Sequence, residues 1–106
     1  NPDSLPEEEE STLFLPYPNP FIISTTIPYQ VPSVDGYEQE PEILVYNILG
    51  QRVPARFYRQ TASFGRGAVV WYGRTEREQR VAAGVYFFVF VYENRRVVRK
   101  ICLLQG

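Results

Sequence analysis

Gly84-Val-Tyr-Phe-Phe-Val-Phe-Val-Tyr92, then Glu93-Asn94-Arg95-Arg96, then Val97-Val-Arg-Lys-Ile-Cys-Leu-Leu104 is the stretch that decides the fold. β-branched and aromatic residues fill both runs, and a short polar break separates them, the pattern of a β-hairpin. The first run has no polar face. Val85, Phe87, Val89 and Val91 alternate onto one side, and Tyr86, Phe88, Phe90 and Tyr92 onto the other. A strand with one side in water alternates apolar and polar residues. This one is therefore covered on both sides, or one side meets another molecule.

The rest of the chain agrees with an all-β reading. Its 106 residues suffice for one domain with one core. Aromatics make up 15%, there are seven Gly and nine Pro, and no segment sustains a helical period. Phe21–Val31 reads as a strand, with Pro28 arguing for an edge or a bulge. Ile43–Ile48 and Arg52–Tyr58 follow, joined by a tight turn at Leu49-Gly50-Gln51. Ala68–Tyr72 is a short strand between a loop at 60–67 and a charged loop at 73–83. Six to seven antiparallel strands at this spacing predict a small β-sandwich over residues 21–106. Residues 1–20 carry five prolines and the Glu7–Glu10 run, and predict an extended acidic arm. The arm ends on Thr12-Leu13-Phe14-Leu15, apolar residues suited to docking on a sheet edge, the domain's own or a neighbour's.

Charge is unevenly divided. Residues 1–42 hold nine acids and no Lys or Arg, whereas the remainder holds eleven basic residues and three acids. Such poles suit head-to-tail contact between copies. Nucleic acid is a poor partner for singly scattered arginines beside an acidic arm. No run approaches the ~18 apolar residues of a membrane helix, so no membrane insertion is expected. The N-terminus shows no basic segment leading into an apolar one, which leaves a removed leader or a longer parent chain.

The chemistry of catalysis is missing from the sequence. Without histidine there is no ordinary general base or imidazole metal ligand. Cys102 is the single cysteine and has no histidine to activate it. Between Ile101 and Leu103 it reads as a buried, inert thiol. The Glu7–Glu10 run is read as solvated charge and not as a calcium cage. No enzyme activity, cofactor or metal is expected.

An ordered set of short motifs adds a resemblance. Tyr17-Pro18-Asn19-Pro20-Phe21 is followed by Tyr46-Asn47-Ile48-Leu49-Gly50-Gln51, by Trp71 with Gly73, by Gly84-Val85-Tyr86, and by Arg99-Lys100-Ile101. Together, over residues 15–105, these resemble the type A C-terminal sorting domain of the type IX secretion system, which is similar to the Ig-like domain of flagellar hook-capping proteins. The resemblance implies an Ig-like sandwich that directs a secreted protein across the outer membrane and attaches it to the cell surface, with the secretion machinery as partner. It implies no catalysis by the domain. The sequence departs from the pattern where the family usually has an acid after the tryptophan (here Tyr72). It departs again in the following loop, at Thr75 and Glu78, where a cation-binding arrangement is lost. Leu44, Val89 and Val91 stand where the family tends to place polar residues. That one-way drift toward apolar residues gives the leading expectation, an extracellular structural module that builds a fibre or surface layer from copies of itself. Leu13, Phe14 and Leu15 would dock by strand addition, and Leu44, Val89 and Val91 would supply apolar contact. About twenty residues precede the domain, where the family trails a large cargo. The alternative expectation is the sorting signal itself.

Overall fold

The computed structural model describes residues 12–32, 41–61 and 65–105. The Glu7–Glu10 run, most of the arm and most of the acidic 32–41 loop lie outside the described residues. Among the described residues there are eight strands: β1 (Thr12–Leu13), β2 (Thr25–Gln30), β3 (Glu42–Asn47), β4 (Arg52–Val53), β5 (Ala55–Thr61), β6 (Arg66–Thr75), β7 (Gly84–Tyr92) and β8 (Arg95–Leu103). Two of them, β1 and β4, are only two residues long, and the other six form the body of the sandwich. The sheets are ordered β1-β2-β6-β5 and β4-β3-β7-β8, and every pairing between named strands is antiparallel. This is the A-B-E-D over C′-C-F-G order of an immunoglobulin-like sandwich.

Register follows from the alternation of side chains. β7 sends Tyr86, Phe88, Phe90 and Tyr92 into the core, where they meet Ile43 and Val45 of β3 and Ile101 and Leu103 of β8. Trp71 of β6 is fully buried at the centre, as β6 is the middle of the opposite sheet. Its ring lies 5.5 Å from that of Tyr86, 5.6 Å from Phe88 and 5.8 Å from Phe21, the first two edge-to-face. Such pairs add about 0.5–1.5 kcal/mol each beyond simple area burial. The indole Nε1 donates to the Arg74 carbonyl, so burying it leaves no unmatched donor.

The chain changes sheet at proline. The expected Arg52–Tyr58 strand is two strands in different sheets, because Pro54, which has no N–H to give a ladder, separates β4 from β5. The first strand also starts later than expected, at Thr25, and Phe21 instead makes a single bridge to Leu103. β6 is ten residues and not five. It continues through Gly73, whose φ of 71° and inward aim, 3.3 Å from a Leu103 methyl for any added Cβ, mark an irregularity in the β5–β6 pairing.

The arm is not separate from the domain. Leu13 pairs with Tyr29, and the Phe14 N–H donates to the Pro28 carbonyl at 2.9 Å. Tyr17 and Thr26 exchange two bonds of 2.9 and 2.7 Å. Pro28 faces this short flank, the place where its absent N–H costs least. The chain then crosses to the other sheet. Phe21 donates to Cys102 and accepts from Leu104, and the Asn19 side chain bridges the Lys100 carbonyl (2.8 Å) and the Cys102 N–H (3.0 Å). Residues 12–21 thus lace the two sheets together, and the expected boundary at residue 20 falls inside the sandwich. The edge that Leu13 occupies is the chain's own.

Candidate interaction surface

The outward side of the β4-β3-β7-β8 sheet gathers the residues singled out for contact. Strand pairing sets them in rows across three strands. Leu44, Val89 and Val98 form the middle row. Tyr46, Phe87 and Lys100 form the row on one side of it, and Glu42, Val91 and Arg96 the row on the other. All alternate away from the core residues of the same strands. The middle of this face is therefore apolar, with charge only at its margin, on Glu42, Arg96, Lys100 and on Arg52, which pairs with Tyr46.

Val89 is buried although it points outward, because Leu44 and Val98 flank it in the ladder and cover it. Leu44, Phe87 and Val91 are half-buried, and Val98 is 52% exposed. Val98 and Phe87 complete the patch, and neither stood among the expected contact residues. The signal for Val98 was present. The hairpin turn is only Glu93-Asn94, with Tyr92 paired to Arg95 and a positive φ of 54° at Glu93. Counting back from it puts Val98 opposite Val89. Reading 93–96 as one polar break hides that register.

The three expected arm contacts divide. Leu13 has no exposed surface, joins the core, and its carbonyl accepts from the Arg99 guanidinium at 2.6 Å. Phe14, just after β1, is half-exposed, and Leu15 is 73% exposed. Neither lies in the apolar patch of the other sheet. Cys102 corrects another expectation. It is half-buried on the outward side of β8, paired with Val85, and is not inside the core with Ile101 and Leu103.

The motif residues have structural tasks. Phe21 and Trp71 are core. Pro18 and Pro20 flank Asn19 and place its side chain on the β8 edge. Asn47 closes the β3–β4 turn, where its Oδ1 accepts from the N–H groups of Leu49 and Gln51, both at 2.9 Å. Gly50 there has a φ of 82°, which a side chain would resist. Leu49 itself is 77% exposed. Gly84 opens β7 at a φ of 151°, a conformation open to glycine. The Tyr86 hydroxyl donates to the Ala82 carbonyl, and burial pushes its phenol above the usual value. Lys100 is exposed, while its carbonyl receives Asn19. Compared with known protein families, characterised proteins and solved structures, the chain finds no match.

Proposed function

We propose that the chain is a non-enzymatic extracellular assembly module, built on the fold of a secretion sorting domain, that associates with copies of itself. One observation carries the reading: the outward face of β3-β7-β8 is apolar at its centre and self-complementary at its margin. Glu42 and Arg96 lie in one row on opposite sides of Val91. A two-fold axis parallel to β7 in the plane of contact would lay Glu42 of each copy over Arg96 of the other. The same axis sets Leu44 over Val98, and Val89 over itself. Such isologous contact needs only one patch and pairs its charges. Extracellular placement rests on the motif resemblance.

The sheet face suits this role better than the arm. Leu13 already fills its own core, where full burial of a leucine side chain is worth about 1.5–3 kcal/mol. An arm exchanged between copies would remake those contacts without adding to them. Sedimentation velocity across a range of concentrations tests the proposal. Wild type should dimerise, and Leu44→Lys with Val98→Lys should leave a folded monomer. A wild type that stays monomeric at millimolar concentration would sink it.

A second reading, the sorting signal, is favoured by the exposure of the motif turns. Ile22, Ile23, Ile48 and Leu49 are all more than half exposed beside the Phe21 and Asn47 motifs, available to an export machinery. Residues 15–106 fused behind a passenger should direct its export in a type IX host. Retention of the passenger in the periplasm would leave the assembly reading alone.

A further inference from the structure

The opposite face of the sandwich, the outward side of β2-β6-β5, carries a different kind of surface. Two tyrosines stand on it, Tyr58 of β5 and Tyr72 of β6, exposed at 46% and 42%. Their rings are 5.6 Å apart and at 86° to each other. Stacked rings would hide a face each. A right-angled pair forms a corner and hides only one face, the one that meets the other ring's edge. The Arg56 guanidinium holds this corner in place. It lies 5.7 Å from the centre of the Tyr58 ring, its Nε donates to the Tyr58 hydroxyl at 3.2 Å, and it pairs with Glu78 at 3.0 Å. The loop that supplies Glu78 is held in turn, since Arg74 donates to the Glu78 carbonyl at 2.8 Å.

The corner is one wall of a cleft of about 440 Å³ lined by Tyr58, Gln60, Val70, Tyr72, Arg74 and Glu78. A second cleft of about 360 Å³ shares Gln60 and continues past Arg66 and Gln30 to Phe14. The two make a groove across the sheet, with aromatic rings at both ends and amide and guanidinium groups between.

We propose that this groove binds a neutral oligosaccharide. The chemistry of the lining selects it. The C–H faces of a sugar ring are weakly positive and lie against the electron-rich face of a tyrosine. Its hydroxyls both donate and accept. Gln60 offers both functions, Arg74 donates and Glu78 accepts. An anionic ligand fits less well. Glu78 meets the charge of Arg56 while Arg66 and Arg74 keep theirs, so an anionic chain is the competing occupant, and the electron-rich tyrosine faces, which repel phosphate and carboxylate, weigh against it. An apolar partner would strand the charged and amide groups without partners. The inference is independent of self-association, which uses the other sheet, so a dimer joined through one face would hold polysaccharide on the other.

Isothermal titration with maltoheptaose, cellohexaose and chitohexaose, and with polygalacturonate as anionic comparison, tests the proposal on the whole chain. At least one neutral oligomer should bind, and Tyr72→Ala or Tyr58→Ala should weaken it at least tenfold with an unchanged melting temperature. Should either alanine variant lose its fold, Gln60→Ala, on an exposed side chain, takes its place and should cost at least threefold. Leu44→Lys with Val98→Lys should bind sugar as wild type does. Absence of binding to all three neutral oligomers at millimolar concentration, tighter binding to polygalacturonate, or full affinity in the tyrosine and glutamine variants would each overturn it.

Discussion

The two outward faces of this sandwich are built on the same kind of backbone and finished in opposite ways. On β2-β6-β5 the exposed apolar side chains come with polar partners: Tyr58 with Arg56, and Arg56 with Glu78. On β3-β7-β8 the outward residues Leu44, Phe87, Val89, Val91 and Val98 stand in adjacent rows of one face, and charge is pushed to the margin. A sheet face left to water alternates apolar and polar residues. The first face obeys that rule with amphipathic side chains. The second breaks it over three adjacent strands, and the break is what argues for a covering partner.

Both faces hang on one core, so the largest effect comes from removing its centre. Trp71→Ala should cost about 3–5 kcal/mol, from lost burial and the cavity left among Phe21, Tyr86 and Phe88. For a domain of this size that approaches the whole stability. Chemical denaturation should show it, with self-association and sugar binding failing together. If either survives in a variant that is largely unfolded, the face concerned is not the binding surface.

The next effect separates the faces. Leu44→Lys with Val98→Lys should weaken self-association by on the order of thirtyfold or more, since each change enters a two-fold contact twice. Stability should change by less than about 1 kcal/mol, because lysine stems can lie along the sheet with their charges in water. Val89→Lys on the buried centre of the patch should act in the same direction. A loss of fold on Leu44→Lys or Val98→Lys would mean that the face is covered by the chain itself.

How much of this was legible in the sequence depends on whether the signal is local. The β7–β8 hairpin was, because alternation is a property of neighbouring residues, and Tyr86, Phe88 and Phe90 do enter the core. Trp71 and Phe21 belong to the quoted motifs, and both are fully buried. Val98 was not found, since its role depends on a two-residue turn at Glu93-Asn94 whose positive φ no glycine advertises. The length of β6 was hidden for a similar reason. Gly73 looks like the start of a loop, yet it is a bend inside a strand. The tyrosine corner was invisible because Tyr58 and Tyr72 are brought together only by β5–β6 pairing around an irregular register. The arm's apolar tip was legible as a docking element. Whose edge it docks on is a question of long-range pairing, which a local reading leaves open.

The arm supplies a smaller prediction that bears on the same contrast. Asn19 is the clamp between the arm and the β8 edge, satisfying the Lys100 carbonyl and the Cys102 N–H with one amide. Asn19→Ala should destabilise by about 1–2 kcal/mol, as two backbone groups lose their partner at a site open to water. Hydrogen exchange at the Cys102 amide should speed up, while exchange at the Val69 and Val70 amides in the other sheet stays slow. Equal acceleration in both sheets would show that the clamp holds the whole sandwich and not one edge of it.

The smallest effect probes whether the inner side of β7 is as dry as its outer side is apolar. Tyr86 stands on the core side of that strand, and burial raises its phenol above 10.0. Below that pH the phenol is neutral in both folded and unfolded chains, and its contribution is fully present. As pH rises further, the unfolded chain loses the proton first while the folded chain still holds it, so the unfolded state gains and stability falls through the folded value. Tyr86→Phe removes this titration and also the hydroxyl bond to the Ala82 carbonyl, worth about 1 kcal/mol. The variant should therefore be less stable than wild type at pH 8, and the gap should narrow as pH climbs past 10. Denaturation midpoints that stay parallel across this range would mean that water reaches the Tyr86 hydroxyl, and that β7 separates the two environments less sharply than its alternation suggests.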